Sequence, residues 1–237
     1  MISEFQLDLA RAITEQLIEQ FNQIDPSPIA QDALQSAKQE PGVYQLFLNG
    51  ELVYVGKSDK NLLYRLDRHR RTLTARKNIS IDQMSFKGMH LDKNWSTLTT
   101  EAQLIAHFGN TPWNNSGFGS NDPGRNRDQS ALKEDHFDTL YPIDVDFTTD
   151  VQAGDTNARQ LLGALKVQLP YLLRHQRPIE DVEIAVPRSG MTAGELIALV
   201  ASHLTGDWQA TALPGRLLLY RERDTEYPSA SVLWPNS

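Results

Sequence analysis

The sequence predicts an α+β fold (α/β mixed): a small antiparallel sheet of about three strands flanked by helices, with an N-terminal helix and a C-terminal α+β extension. Three observations carry this expectation. Two runs rich in β-branched, aromatic and aliphatic residues, Val43 to Leu48 and Leu52 to Val55, flank Asn49-Gly50, a strong hairpin signal. Helical patterns, with apolar residues three or four apart, stand on both sides of that hairpin. From Thr156 the texture changes and a second set of helix and strand patterns begins.

In chain order, Ile2 to about Gln23 reads as a helix, with Ile2, Phe5, Leu9, Ile13, Leu17 and Phe21 on one stripe. Asp25-Pro26-Ser27-Pro28 ends it, because proline cannot continue a helix and restricts the residue before it. Ile29 to Gln39 reads as a second, shorter helix, broken by Glu40-Pro41-Gly42. After the hairpin, Gly56-Lys57-Ser58-Asp59 turns into a helix from about Asn61 to Leu73, with Leu62, Leu63 and Leu66 on its buried side. Arg65 and His69 stand one turn apart on a different face of it. A third strand is expected around Met84 to Met89, then a helix opened by the capping box Thr100-Glu101-Ala102-Gln103. Trp113 to Gln129 has no periodicity and is dense in Gly, Asn, Asp and Ser, the texture of a loop with a job.

In the C-terminal region the expectation is a helix over Ala158 to His175, a strand over Val182 to Val186 and a helix over Thr192 to Leu204. Two strands, Trp208 to Leu213 and Arg216 to Arg221, turn at Pro214-Gly215. The expected division is an N-terminal helical arm over 1–40, a core over 41–153 and a C-terminal α+β subdomain over 154–237 for recognition or dimerisation.

At 237 residues and 40% hydrophobic content the chain can bury a core. It has no cysteine, which excludes disulfides and thiolate metal sites and suits a cytoplasmic protein. The N-terminus lacks the pattern of a signal peptide, and no apolar run reaches membrane-spanning length. The formal net charge of −7 argues against a generally DNA-binding surface. The local pattern runs the other way: Lys57, Lys60, Arg65, Arg68, Arg70, Arg71, Arg76 and Lys77 crowd one stretch, opposed only by Asp59 and Asp67.

The register of the hairpin bears on function. A two-residue Asn49-Gly50 loop pairs Gln45 with Tyr54 and sends Tyr44 and Tyr54 to opposite faces. An odd loop, Leu48-Asn49-Gly50 with Gly50 left-handed and a bulge, places Tyr44 opposite Tyr54. A site that uses both tyrosines requires the odd loop, and that is the expectation.

Gly42-Val43-Tyr44 and Tyr54-Val55-Gly56, about ten residues apart, resemble the two name-giving tripeptides of the GIY-YIG endonuclease superfamily. The match continues through Lys57-Ser58, Arg65 and His69 on the following helix, Glu101 opening a later helix, and Asn114 just after Pro112. Gly117-Phe118-Gly119, Asn121-Asp122-Pro123-Gly124 and Arg127 are similar to a segment of the type II restriction endonucleases built on this domain. Val43 and Val55 depart from the name's isoleucines conservatively, and from Thr156 onward the resemblance stops.

The resemblance implies a divalent-metal-dependent endonuclease acting on double-stranded DNA, sequence-specific and of restriction type. It implies a catalytic set of Tyr44, Tyr54, Arg65, His69, Glu101 and Asn114. Glu101 would be the ligand of one Mg2+ (or Mn2+) per active site, with waters and phosphate oxygens completing the shell. Arg65 suits the charge that develops on the phosphate. Tyr44 is the favoured base, although an unperturbed tyrosine titrates at about 10. Tyr54 and His69 would hold phosphate and water, a duty that Lys57 could share, and Asn114 would fix the surrounding loop. Lys57, Lys60, Arg68, Arg71, Arg125 and Arg127 are the DNA-binding candidates. A palindromic target would imply a homodimer. A cognate DNA methyltransferase in the same system would be a functional companion, not a physical partner. Two other readings compete: a less specific or structure-specific nuclease in repair, mobile elements or phage defence, and a non-catalytic DNA-binding module.

Overall fold

The computed structural model describes residue 6 and residues 8–34, 38–92, 101–109, 111–120 and 124–235, the side chain of Ala33 aside. Part of the expected N-terminal stripe, the capping Thr100 and the segment Asn121-Asp122-Pro123 lie outside the described residues. The chain divides into two compact units, 1–73 with 80–118 and 74–79 with 119–237. The expected boundary at 153/154 falls inside the second of these. The α+β expectation holds in each.

The first unit is built on an antiparallel sheet in the order β1-β4-β2-β3. Its three main strands are β2 (Gly42–Leu48), β3 (Glu51–Ser58) and β4 (Met84–His90), joined at the β4 edge by the two-residue β1 (Ser27–Pro28). The N-terminal helix α1 (Leu9–Asn22) starts where the Asp8 side chain accepts from the Arg11 amide. The next helix, α2, is a single turn, Gln31–Leu34. Helix α3 (Leu62–Thr74) opens under Asn61, whose Oδ1 accepts from the Tyr64 amide at 2.9 Å, and α4 spans Glu101–Phe108.

The two sheet faces do different work. Val43 and Val55 pack with Phe21, Leu91 and Leu104, and Phe21 meets Phe108 edge-to-face. The opposite face carries Gly42, Tyr44, Leu46 and Tyr54. There Leu62 lies so close to Gly42 that a Cβ would fall 2.7 Å from its Cδ2. The outer edge of β3 is covered rather than bare. The Trp113 amide donates to the Val53 carbonyl at 2.9 Å, and the Asn114 side chain bonds both the N–H and the C=O of Val55.

The hairpin turn departs from expectation. Leu48 pairs with Glu51, so the loop is the plain two-residue Asn49-Gly50, with φ of 51° and 87°. The register then shifts between Leu46 and Phe47: Phe47 faces Leu52, but Leu46 faces Tyr54. Val53 is the extra residue of a bulge inside β3. The parity change expected in the turn therefore occurs two residues further along the strand. Tyr44 lies directly opposite Gly56, not Tyr54, yet both tyrosines share one face.

The second unit has a mixed sheet in the order β10-β8-β9-β6 and a two-stranded ribbon β5-β7. Its strands are β5 (Gly154–Asn157), β6 (Leu172–His175), β7 (Glu183–Val186), β8 (Trp208–Leu213), β9 (Arg216–Arg221) and β10 (Ser231–Trp234). Its helices are the short α5 (Phe137–Leu140), α6 (Ala158–Gln168) and α7 (Ala193–His203), the last opened by a Thr192–Glu195 capping box. The expected helix over Ala158 to His175 is in fact a helix and a strand. Pro170 has no amide to donate and biases Leu169 to extended backbone (ψ 131°), so α6 stops at Gln168 and the chain turns into β6. Gly154-Asp155, at the expected boundary, is the start of β5.

Leu161, Leu162, Leu165, Leu196, Ile197 and Val200 cover one face of the large sheet, against Ala210, Leu217 and Leu219. On the other face sits Asp128, 2% exposed. It accepts from Arg174 at 2.7 and 2.8 Å and from the Tyr220 hydroxyl at 2.9 Å, and pairs with Arg216 at 2.9 Å. Two strands thus converge on a carboxylate from the loop that carries Arg125 and Arg127. Among the described residues no helix is long and apolar enough to cross a membrane.

Removing Asp128 leaves two guanidinium groups without their buried counter-charge. Asp128→Ala is expected to destabilise the second unit by about 3 kcal/mol, read by urea unfolding, whereas Asp150→Ala at the surface changes it by less than about 0.5 kcal/mol.

Candidate active site

Tyr44 reaches the site because the bulge turns it and Tyr54 to the α3 side of the sheet, with ring centroids 6.0 Å apart. Its ring lies over Gly56, where any Cβ would collide with the Tyr44 phenol and come within 2.7 Å of Tyr54 Cε1. The final glycine of Tyr54-Val55-Gly56 is therefore a space requirement. Helix α3 brings His69 inward among its buried residues and Arg65 one turn earlier.

These side chains form a hydrogen-bonded chain. Arg65 Nε donates to the Tyr44 hydroxyl at 3.2 Å, and that hydroxyl lies 2.7 Å from His69 Nε2. A guanidinium only donates, so the Tyr44 oxygen accepts from it. In the His69 tautomer that carries its proton on Nδ1, the Tyr44 hydroxyl donates to Nε2. Tyr44, Tyr54 and His69 are all 4% exposed or less. His69 is thus committed to Tyr44 instead of facing a phosphate or water, as the sequence had suggested.

Burial sets the electrostatics. It pushes the Tyr44 and Tyr54 phenols up; the neighbouring Tyr54 adds to this for Tyr44, Glu101 does so for Tyr54, and Arg65 opposes both shifts. Burial, then Arg65 and Arg68, lowers His69 to about 3, so the imidazole is neutral at physiological pH. Glu101, half-buried at the start of α4, is pushed up by burial; Arg65, the Lys57 backbone N–H and the Lys57 ammonium pull it back.

Among the described residues no group of three or more His, Asp or Glu is placed to hold a metal ion. Glu101 fits the other arrangement, one hard oxygen ligand with waters and phosphate oxygens in the remaining positions. A divalent cation would supply the counter-charge that burial makes this carboxylate need.

Asn114 accepts from the Val55 amide at 2.9 Å and from Thr111 Oγ1, and donates to the Val55 carbonyl at 2.7 Å. It fastens the 111–118 turn alongside the strand that carries Tyr54. At the end of that turn Phe118 stacks on His69 (4.7 Å, 23°), meets Tyr54 edge-on and packs on Trp113. Sequence reasoning used Gly117-Phe118-Gly119 only as a marker of resemblance. A lone aromatic between two glycines, both at positive φ here, was the signal that it closes a site.

The basic candidates divide. Lys57 is largely buried and paired with Asp59 at 2.7 Å. Lys60 and Arg71 are exposed, and Arg68 is half-buried on α3. Arg125 and Arg127 belong to the second unit; Arg125 lies 4.3 Å from the Tyr220 ring centroid and pairs with Glu222, and Arg127 is exposed.

The structure brings together a tyrosine–histidine–arginine chain and a single carboxylate on a hairpin and two helices. Residues 49–163, just under half of the chain, match the family described as the Eco29kI GIY-YIG domain, a GIY-YIG restriction endonuclease family, and this match supports a DNA endonuclease. The matched stretch contains Tyr54, Arg65, His69, Glu101 and Asn114 and begins after Tyr44. No curated protein matches the chain.

Two outcomes follow from this geometry. Gly56→Ala is expected to cost about 2 kcal/mol in thermal or urea unfolding, because the buried tyrosines have no room to yield. For His69, the unfolded ring binds a proton below its ordinary value of 6.5 and the folded ring only near 3, so its contribution is full above 6.5 and lost as the pH falls. Between about pH 7.5 and pH 5 this loss amounts to about 2 kcal/mol, and His69→Asn should flatten the acid limb of the stability curve by that amount.

Proposed function

We propose that this protein is a sequence-specific, divalent-metal-dependent endonuclease that hydrolyses both strands of double-stranded DNA, in the manner of a type II restriction enzyme. The observation that carries the reading is the buried Arg65–Tyr44–His69 chain, which gives a proton taken from water a defined exit. Tyr44 accepts the proton of the attacking water as its own passes to His69 Nε2, so the buried phenol need not bear a full negative charge. The incoming phosphate offsets the Arg65 and Arg68 charges, which add to burial in keeping the imidazole neutral. Arg65, which bonds Tyr44 through Nε and also bonds Tyr54, presents its other N–H groups to the non-bridging phosphate oxygens.

Glu101 would hold one Mg2+ or Mn2+, which when bound stabilises charge on the phosphate and the leaving oxygen. Tyr54 and Phe118 wall the His69 ring, and Asn114 keeps the 111–118 turn in place. Lys60, Arg68 and Arg71 on the α3 side, and Arg127 in the second unit, are the proposed backbone contacts. Cutting both strands of a palindrome calls for two copies of the chain, so a homodimer is part of the proposal.

Digestion of plasmid DNA with magnesium should yield discrete fragments whose sequenced ends share one motif, and chelation should abolish cleavage. A smear or single-strand nicking would instead favour the less specific nuclease, and no cleavage at all a binding module. Glu101→Ala should lose cleavage while retaining DNA binding, and full activity in that variant would overturn the ligand assignment. Tyr44→Phe should lower kcat by about a thousandfold.

A further inference from the structure

The outward side of α3 carries a tyrosine that the mechanism above does not use. With about 3.6 residues per turn, Leu62, Leu66, His69 and Leu73 face the sheet and are buried. On the flank next to His69 come Arg65, then Arg68, then Tyr64, and Arg71 completes the outward side, while Lys60 lies in the bend before the helix. Asp67, the acidic residue of this helix, lies on the other flank and pairs with Arg70 at 2.8 Å. Tyr64 is 68% exposed, whereas Tyr44 and Tyr54 in the same unit are buried.

An isolated exposed aromatic calls for no explanation. Tyr64 differs in its setting. It stands in a predominantly basic strip, bordered by Asp67 one turn further on, that leads around the helix into the Arg65–Tyr44–His69 chain, and Arg68 is near enough to His69 to depress its proton affinity. Its backbone is fixed, since the Tyr64 amide is held by Asn61 Oδ1 and the Asn61 amide by Ser58 Oγ. A flat ring on a rigid helix turn between cationic side chains complements a nucleic-acid strand, in which phosphates alternate with apolar sugar and base surfaces.

We propose that Tyr64 packs against the sugar and base edge of the nucleotide beside the scissile phosphodiester, with Lys60, Arg68 and Arg71 on the flanking phosphates. The contact sets how tightly and in what register the cut strand lies over the site. This rests on the reading of the protein as a DNA endonuclease.

The test is steady-state cleavage of linearised plasmid by wild type, Tyr64→Ala and Tyr64→Phe, together with binding of a labelled mixed-sequence duplex in calcium. Tyr64→Ala should raise KM and Kd about tenfold, the worth of one aromatic stacking contact, with kcat and thermal stability unchanged. Tyr64→Phe, which keeps the ring, should restore both constants. The salt dependence of binding should be unchanged in Tyr64→Ala and shallower by about one charge in Arg68→Ala. If Tyr64→Ala fails to fold, Tyr64→Gln takes its place. Wild-type constants in Tyr64→Ala, or a defect in Tyr64→Phe equal to that of Tyr64→Ala, would overturn the contact while leaving the endonuclease standing. Failure of the wild type to bind or cut DNA would overturn both.

Discussion

A two-residue turn at Asn49-Gly50 and one additional residue at Val53 decide which face of the sheet each tyrosine meets. Side chains alternate along a strand, so the turn alone would send Tyr44 and Tyr54 to opposite sides. The bulge at Val53 reverses that parity for the rest of the hairpin, while the strand beyond it keeps Val55 on the opposite face, against Phe21 and Leu104. Gly56 then leaves open the space that the Tyr44 ring fills. The twisted, irregular part of β3 is also the part whose edge the 111–118 turn covers, with Trp113 bonded to Val53 and Asn114 to Val55.

Burial of this cluster gives its groups their character. A phenol and an imidazole in water would exchange protons with solvent; here the phenol is held protonated, the imidazole is held neutral, and each is the other's hydrogen-bond partner. Arg65 joins that enclosed pair to the half-exposed side where Glu101 stands, and its charge acts on both. Phe118 contributes no polar group, yet by stacking on His69 it keeps the imidazole out of water. The site is thus a low-dielectric cluster with a cationic and an anionic group beside it.

The second unit uses the same device for a structural end. Asp128 is buried under Arg174, Arg216 and Tyr220, which fixes the start of the polar segment before Phe137 onto the sheet. Such a carboxylate adds definition more than net stability, because desolvating the charges cancels much of their attraction. It converts a stretch that looks like free loop in the sequence into a turn with a set place. Arg125, on that turn, is held by Glu222 and Tyr220.

The sequence by itself determined the elements with strong local signals. The hairpin, α3, β4, α7 and the β8–β9 pair lie where periodicity, Asn-Gly, Pro-Gly and capping residues put them, and the ordered series of tripeptides, arginine, histidine, glutamate and asparagine marked the family. It misplaced what depends on distant partners. The register of β3 is decided by pairing with β2 and by packing on two faces at once, and no residue type announces a bulge at Val53. The end of α6 was legible at Pro170, but the leucine period running through it masked the change to β6, which exists because β9 is there to pair with it. Likewise the role of Phe118 and the burial of Asp128 and His69 are properties of what surrounds them. Residue identity limits which proton a side chain can carry, and only the tertiary structure, by removing water and supplying neighbours, decides whether it carries one.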